Sequence, residues 1–183
     1  MKVEIKILNK EFYSANVSGA WGYKLPSYTT SGSAALDLIC TEDVIIYPGE
    51  VKAIHTGLAI HIGSHVHECQ TVAALILPRS GLGTKGLVLA NTVGLIDEDY
   101  QGELIVQVLN RNTEESIITN LILNGSEDVK QFALGLRPSV ELKVGDRFAQ
   151  LLFIPVIKVQ WNVVEEFSSK TVRDEGGFGH TGV

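Results

Sequence analysis

Short apolar runs separated by turn residues dominate the pattern along the chain. Several runs alternate between apolar and polar positions, as a half-buried strand does, and long helical periodicity is missing from the sequence. Turn signals interrupt the runs, for example at residues 47–50 and 143–146. The pattern predicts an all-β fold, either a barrel or a double-sheet jelly roll, with one short helical turn where Ser80 would cap the first amides. The predicted strands cover residues 3–7, 44–47, 51–62, 72–77, 104–109 and 151–161.

An acidic segment at residues 94–103 lies between an apolar run, 87–93, and an alternating run, 104–109. The two runs predict the strands of a hairpin with the acidic segment at its tip. Asp97 and Tyr100 then stand three residues apart on a rigid mount. The segment fits a general base beside an aromatic side chain, but Asp, Gly and Glu also form ordinary surface turns.

The composition predicts one globular domain, because 183 residues with 45% hydrophobic and 20% charged positions suffice for one full core. No apolar stretch of the sequence reaches membrane-spanning length, and the first residues alternate charged and β-branched side chains instead of forming a signal peptide. Two cysteines, Cys40 and Cys69, cannot form a disulfide framework, so a reducing compartment is the simpler assumption. A soluble, cytoplasmic protein is expected.

The formal net charge of −6 argues against nucleic acid as the main ligand, because duplex binding requires many Lys and Arg contacts to phosphate. A nucleotide remains compatible with this charge if local arginines, backbone amides and a divalent cation hold its phosphates. Arg79, Arg147 and Arg173 are candidates for that task.

Two polar segments interrupt the strand pattern. Residues 61–69 contain three histidines and Cys69. A polar hairpin loop is preferred to a zinc site there, because alternate residues of one strand do not converge on a point. Residues 112–138 are far more than a β connection needs, and Asn124 followed by Gly125 is typical of a tight hairpin turn. A small surface excursion is predicted at this second segment.

Five segments resemble, in the same order, those of the trimeric deoxyuridine triphosphatase (dUTPase) family. They are residues 25–38 (LPSYTTSGSAALDL), 78–83 (PRSGLG), 94–103 (GLIDEDYQGE), 145–151 (GDRFAQL) and 173–182 (RDEGGFGHTG). The resemblance implies a single dUTPase-like β-clip domain over residues 1–183, with a surface insertion at 112–138 and a flexible C-terminal arm at 168–183. Some phage-encoded relatives carry an insertion here, so the sequence is compatible with a phage-type member, which would act in the host cytoplasm.

The resemblance implies hydrolysis of dUTP to dUMP and pyrophosphate, which keeps uracil out of DNA and supplies dUMP for thymidylate synthesis. Asp97 matches the residue that activates the attacking water, and Ser80 and Gln150 complete the expected catalytic set. Tyr100 matches the aromatic that packs on the deoxyribose and excludes a ribose hydroxyl. The expected substrate-binding residues are Arg79, Ser80, Gly81, Asn91, Gly94, Leu95, Ile96, Asp97, Tyr100, Gln150, Arg173, Phe178, Gly179, His180 and Thr181.

The same resemblance implies which residues contact each part of the nucleotide. Asn91 and the backbone of 94–96 would pair with uracil, residues 79–81 would contact phosphates, and the Gly-rich tail would close over the nucleotide. Because the tail acts at another subunit's interface in this family, a homotrimer is expected. Mg²⁺ would bind mainly through the phosphates, without a direct protein ligand, and Asp37 would contact it through water. Ala35 departs from the glycine usual in the family, but activity is expected to survive.

The sequence is compatible with two other functions. The first is deamination of dCTP, which needs an acid/base group near the pyrimidine. Gln107 stands where we place the glutamate of those deaminases, and an amide cannot serve as a general base. The second is a nucleotide-dependent regulatory binding protein that docks a protein partner at residues 112–138, because long loops on a rigid scaffold often carry function.

Overall fold

The computed structural model describes residues 2–14, 25–63, 71–112 and 139–177. Within these ranges the chain forms ten strands and two short helices. In chain order they are β1 (Glu4–Ile7), α1 (Lys10–Ser14), β2 (Leu36–Ile39), β3 (Val44–Ile46), β4 (Val51–His61), β5 (Thr71–Pro78), α2 (Ser80–Gly83), β6 (Leu87–Leu89), β7 (Gly94–Ile96), β8 (Glu103–Asn110), β9 (Val140–Leu142) and β10 (Arg147–Val156).

The strands form two four-stranded antiparallel sheets and one two-stranded ribbon. The first sheet has the order β1-β4-β8-β6, the second has the order β2-β10-β5-β7, and β3 pairs with β9. One apolar core joins all three, with Ile54 and Val106 from the first sheet, Ile76 and Phe148 from the second, and Ile46 from the ribbon. The all-β, double-sheet prediction is therefore confirmed.

The alternation in β8 shows why the sequence pattern was informative. Leu104, Val106 and Val108 are buried, whereas Ile105 and Gln107 between them are exposed. Successive side chains of a strand point to opposite faces, so the apolar set covers the core and the intervening set faces outward. This period of two fixes the register, because a slip of one residue would expose the whole apolar set.

Strand β4 contains an irregularity that matters for the site. Its pairing with β8 shifts register between His55 and Ala59, and Gly57 in the gap has φ of 67°. A Cβ on Gly57 would lie 2.6 Å from Cβ of Asn9, just before α1. Glycine is needed here both for the positive φ and for this close approach.

The predicted hairpin around residues 94–103 is correct only in part. Strands β6 and β8 pair as expected, with Val88 opposite Leu109. The segment between them, however, is not a simple tip, because β7 leaves this sheet and pairs with β5 in the other one. Residues 97–102 thus form the connection from one sheet to the other, and the competing partner strand could not be read from local alternation.

Other boundaries also differ from the prediction. The helix α1 was not predicted, and Arg79 rather than Ser80 is the N-cap of α2, without a side-chain capping bond. Strand β10 begins at Arg147 and ends at Val156, so residues 157–161 lie beyond it. The predicted turns at 47–50 and 143–146 are confirmed.

Several predictions concern other parts of the chain. The segment 113–138, most of the histidine segment and Cys69 lie outside the described residues. Cys40 is buried, and its thiol donates to the carbonyl of Glu42 at 2.9 Å. No helix in the described ranges has the length and apolar character needed to cross a bilayer.

Candidate active site

Three strands of the second sheet bring together the predicted phosphate-binding residues Arg79 and Gln150 and the predicted metal-contacting residue Asp37. Asp37 on β2 lies directly opposite Gln150 on the central strand β10, and Gln150 lies opposite Leu77 of β5 on its other side. Directly opposite residues place their side chains on the same face of a sheet. Arg79 follows the end of β5, so Asp37, Gln150 and Arg79 are collected at one end of this sheet.

Asp37 forms an ion-pair cluster with two arginines. Its Oδ1 accepts from Nε of Arg79 at 3.0 Å, and its Oδ2 accepts from Nη1 of Arg147 at 3.2 Å. Nη1 of Arg79 also donates to the backbone carbonyl of Arg147 at 3.0 Å. The Asp37 side chain is 19% exposed, compared with 29% for Arg79 and 52% for Arg147. The carboxylate thus orients two guanidinium groups that remain accessible to an anion.

The turn after Arg79 is open to solvent. Ser80 and Gly81 are exposed, and the amides of Leu82 and Gly83 donate to the Arg79 carbonyl at 3.1 and 2.9 Å. A Cβ on Gly81 would meet nothing within 4 Å. The turn is therefore closed by its own backbone bonds and leaves free space above Gly81.

The second part of the predicted site is a cleft beside the connection from β7 to β8. Its volume is about 160 Å³, and Asp97, Tyr100 and Glu103 line it together with apolar side chains of both strands. The amide of Tyr100 donates to the Asp97 carbonyl at 3.2 Å, which closes a turn. The phenol of Tyr100 donates to the Glu103 carbonyl at 3.0 Å. Asp97 is exposed at the edge of this cleft.

Gly102 provides room for the Tyr100 ring. A Cβ on Gly102 would lie 2.6 Å from Cζ and 3.0 Å from Cε2 of Tyr100. The ring therefore packs directly over the glycine backbone, and a larger residue would displace it.

Residues 91–96 lead into this cleft by a sharp turn. The amide of Val93 donates to the Asn91 carbonyl at 2.7 Å, and Thr92 between them has φ of 63°, which is uncommon outside glycine. Gly94 then pairs with Ile76, and a Cβ on Gly94 would lie 3.1 Å from Cβ of Ile76. Asn91 is exposed, and the Leu95 side chain is 62% exposed at the rim.

The two parts of the site do not meet within one chain. Ile96 lies opposite Ala74 of β5, and β7 runs antiparallel to β5, so Asp97 continues away from Arg79. Arg79 follows Ala74 by five positions, which corresponds to roughly 17 Å along a strand. The structure brings Asp37, Arg79 and Gln150 together and Asp97 with Tyr100, as two separate half-sites.

The described residues after β10 are mostly exposed, and Lys158 among them forms an ion pair with Glu98 at 3.9 Å. Nε of Arg173 donates to the Gly176 carbonyl at 2.8 Å, and Arg173 is exposed. Apolar side chains before it are also exposed, including Trp161 at 90% and Phe167 at 91%. Phe178, Gly179, His180 and Thr181 lie outside the described residues.

Three residues at these half-sites have contacts that the sequence did not predict. Arg147 was a candidate for holding phosphates, and it also shares Asp37 with Arg79. Glu103 and Gly102 fix the surroundings of Tyr100. A signal existed only for Gly102, because a glycine beside a candidate aromatic permits close approach.

The comparisons with known proteins identify the family. The family model described as dUTPase matches residues 22–121 and 125–182. The deoxyuridine 5'-triphosphate nucleotidohydrolases of Francisella tularensis subsp. holarctica and subsp. novicida are each 44% identical over 186 residues, covering 100% of both chains. The chain belongs to the dUTPase family, and its reaction is the hydrolysis of dUTP.

Solved structures of phage enzymes share the fold. The dUTPase of Staphylococcus bacteriophage 80alpha with dUPNHPP has a TM-score of 0.72 at 23% identity, covering 100% of this chain and 99% of that one. A variant dUTPase of phage phi11 of S. aureus, described with a structural Mg(II) ion, has a TM-score of 0.65 at 21% identity, covering 92% and 100%. The predicted dUTPase-like β architecture is confirmed by these matches.

Proposed function

We propose that Asp97 orients and deprotonates the water that attacks the α-phosphate of dUTP. The observation that carries this assignment is the cleft in which Asp97 stands exposed beside Tyr100. A general base must reach both a water and the substrate, and an exposed carboxylate on a rigid connection between two sheets meets that requirement. Tyr100 would pack against the deoxyribose, and Asn91 with the backbone of 94–96 would read the uracil.

The other half-site would hold the triphosphate. Arg79 and the exposed turn at Ser80 and Gly81 offer a guanidinium, a hydroxyl and open space for phosphate oxygens. Gln150 adds an amide on the same face as Asp37. The family assignment argues against deamination, because it gives hydrolysis of dUTP and because Gln107 offers no acid or base at neutral pH.

The separation of the half-sites favours an active site made by two copies of the chain. In-line attack requires reacting atoms about 3–3.5 Å apart, whereas Arg79 and Asp97 are separated by more than about five residues of extended β5. A cyclic homotrimer would join the phosphate half-site of one subunit to the Asp97 half-site of its neighbour. Arg173 and residues 178–181 would then cover the nucleotide from the C-terminal arm.

Mg²⁺ would be held mainly by the phosphates. Both oxygens of Asp37 already accept from arginine, so this carboxylate suits a contact through water better than direct ligation. Among the described residues no group of three or more His, Cys, Asp or Glu is arranged to hold a metal. The ion would neutralise charge on the triphosphate, while Asp37 keeps Arg79 and Arg147 oriented.

The regulatory alternative and the protein partner at 112–138 stay predictions. The segment 113–138 lies outside the described residues, so the proposal rests on its length in the sequence alone. Deleting residues 113–137 and comparing nucleotide turnover and captured partners with the full chain would test it. Unchanged turnover together with unchanged partners would contradict this alternative.

The proposed catalytic role is tested by product analysis and one substitution. Pyrophosphate release should occur from dUTP, with UTP, dTTP and dCTP poor substrates, and dUMP should be the nucleotide product. Asp97→Asn should retain dUTP binding by calorimetry and lose roughly a hundred- to ten-thousand-fold in kcat, the usual contribution of a general base. Unchanged turnover in this variant would exclude the role assigned to Asp97.

A further inference from the structure

The irregular part of β4 is held by groups from other segments of the chain. The carbonyl of Thr56 accepts from the buried Tyr13 phenol at 2.8 Å. The carbonyl of Gly57 accepts from the amides of Leu8 and Asn9 at 2.8 and 3.2 Å. The hydroxyl of Thr56 donates to the Leu104 carbonyl at 2.8 Å. Residues 8–14, which include α1, therefore hold this bulge of the first sheet in place.

Glu103 connects the bulge to the Asp97 half-site. Its Oε1 accepts from the Gly57 amide at 2.9 Å, and its Oε2 lies 3.0 Å from Nδ1 of His55. The Glu103 side chain is 22% exposed, so these bonds are partly shielded from water. Glu103 is also the first residue of β8, and its backbone carbonyl is the acceptor for the Tyr100 phenol.

Two different groups of Glu103 thus contribute to the Asp97 half-site. Its carboxylate fixes where β8 begins, and its carbonyl fixes where the Tyr100 hydroxyl points. The Tyr100 ring is 42% exposed, and it packs over a glycine at position 102. A ring in this situation keeps its orientation only if the backbone acceptor beneath it stays in place.

We infer that Glu103 is a positioning residue for sugar selection, which anchors β8 to the Gly57 bulge and thereby holds the Tyr100 ring against the deoxyribose. The inference rests on the role proposed above for Tyr100. A ring that is free to move would accommodate a ribose hydroxyl more readily and contact deoxyribose less well. Glu103 touches no reacting atom and acts only through Tyr100.

The test compares kcat/KM for dUTP and UTP, because discrimination between substrates is the ratio of these values. Glu103→Ala should lower the dUTP to UTP ratio about ten-fold, mostly through a higher KM for dUTP. Glu103→Gln should stay within about three-fold of the original ratio, because the amide oxygen can still accept from the Gly57 amide.

A matched control variant distinguishes a role of Glu103 in positioning Tyr100 from a role in stabilising the bulge. Tyr13→Phe removes the bond to the Thr56 carbonyl on the far side of the same bulge and leaves Glu103 and Tyr100 intact. It should lower Tm while the dUTP to UTP ratio stays unchanged. If Tyr13→Phe lowers the ratio as much as Glu103→Ala, Glu103 merely supports the fold and the inference is wrong.

Two further variants distinguish the possible failures. Tyr100→Ala should abolish most of the discrimination, and an unchanged ratio in that variant would overturn the proposed role of Tyr100 itself. If Tyr100→Ala loses discrimination but Glu103→Ala keeps it, only the inference on Glu103 fails.

Tyr100→Phe removes the phenol donor without touching the bulge, and it decides the question if Glu103→Ala does not fold. An unchanged ratio in Tyr100→Phe would overturn the link through the Glu103 carbonyl.

Discussion

The two half-sites of this chain are built by different physical means. At the phosphate half-site, Asp37 holds Arg79 and Arg147 by charged contacts of 3.0 and 3.2 Å. At the Asp97 half-site, Tyr100 is held by a neutral hydrogen bond to a carbonyl and by close packing over Gly102. One half-site presents oriented positive charge, and the other presents a shaped surface.

This difference matches what each half-site is proposed to recognise. A triphosphate is strongly charged and similar in all nucleotides, so charge provides affinity without selecting a base or sugar. A deoxyribose differs from a ribose by one hydroxyl, and only a closely fitting wall can reject that group. From the proposed roles we expect that affinity for the triphosphate and selectivity for the sugar respond to different substitutions in this protein.

The largest effect is expected when the half-sites are inactivated in different chains. Asp97→Asn and Arg79→Ala should each be nearly inactive alone. If the protein is the proposed homotrimer, coexpression of the two variants with different tags should give mixed trimers in which one interface pairs an intact Asp97 with an intact Arg79. An equal random mixture should regain about a quarter of the unmodified activity, because about three-quarters of the trimers are mixed and each has one complete site.

The control for this experiment is a single chain that carries both substitutions, coexpressed with itself under two tags. It should remain inactive, because no interface contains both intact residues. If the mixture of single variants also remains inactive although both tags are recovered in one trimer, the two half-sites do not combine between chains.

A smaller but selective effect is expected at the shaped half-site. Gly102→Ala would place a Cβ about 2.6 Å from Cζ of Tyr100, and the ring can escape by rotating away. The kcat/KM for dUTP should fall by about a hundred-fold from the misplaced ring, while Tm changes little. Gly32→Ala is the matched control, because a Cβ there would meet nothing within 4 Å. Equal activities of the two variants would contradict the role of Gly102.

Added salt should weaken the binding of dUTP a few-fold and leave the binding of an uncharged nucleoside unchanged. The Arg79 and Arg147 side chains are 29% and 52% exposed, so mobile ions should screen their proposed attraction for the triphosphate. The KM for dUTP should rise by roughly three-fold between low and physiological salt, whereas the inhibition constant of uncharged deoxyuridine should stay constant. A parallel rise in both constants would mean that charge does not distinguish the half-sites.

The smallest effect concerns the turn that precedes Arg147. Bonds from the Val144 amide at 2.9 Å and from Lys143 at 3.3 Å lower the pKa of Asp43. A carboxyl whose pKa is lowered by folding stabilises the protein above its unfolded pKa and loses this contribution as the pH falls through its folded pKa. Urea unfolding should show Asp43→Asn less stable than the original protein at neutral pH. The difference should disappear in acid, and a difference that persists there would not come from this charge.

The sequence predicted the parts of the fold in which local pattern and tertiary structure agree. The alternation at 104–109 indicated the buried face of β8, since a slip of one residue would have exposed Leu104, Val106 and Val108. The family resemblance named Asp37, Asp97 and Tyr100. Their division between two half-sites could be seen only from the order of strands in the sheets, because β7 pairs with β5 and not with β6 or β8.

What the sequence could not predict depends on contacts between distant segments. The helix α1 has only five residues and is fixed by the buried Tyr13 and by the Asn9 side chain, which accepts from the Phe12 amide at 3.1 Å. Short helices of this kind are stabilised by tertiary packing and not by propensity. The contact of Arg147 with Asp37 likewise accompanies a shift of register in β10, which leaves no local signal.

Strand β5 sets the distance between the two half-sites of the chain. Its first half sets the position of Ile96 by backbone pairing, and its end delivers Arg79. Insertion of a single residue between Ala74 and Pro78 would turn every following side chain to the opposite face and lengthen the spacing at once. During evolution, this strand should therefore vary in side chains but not in length, since one change there would alter both half-sites in every copy of the protein.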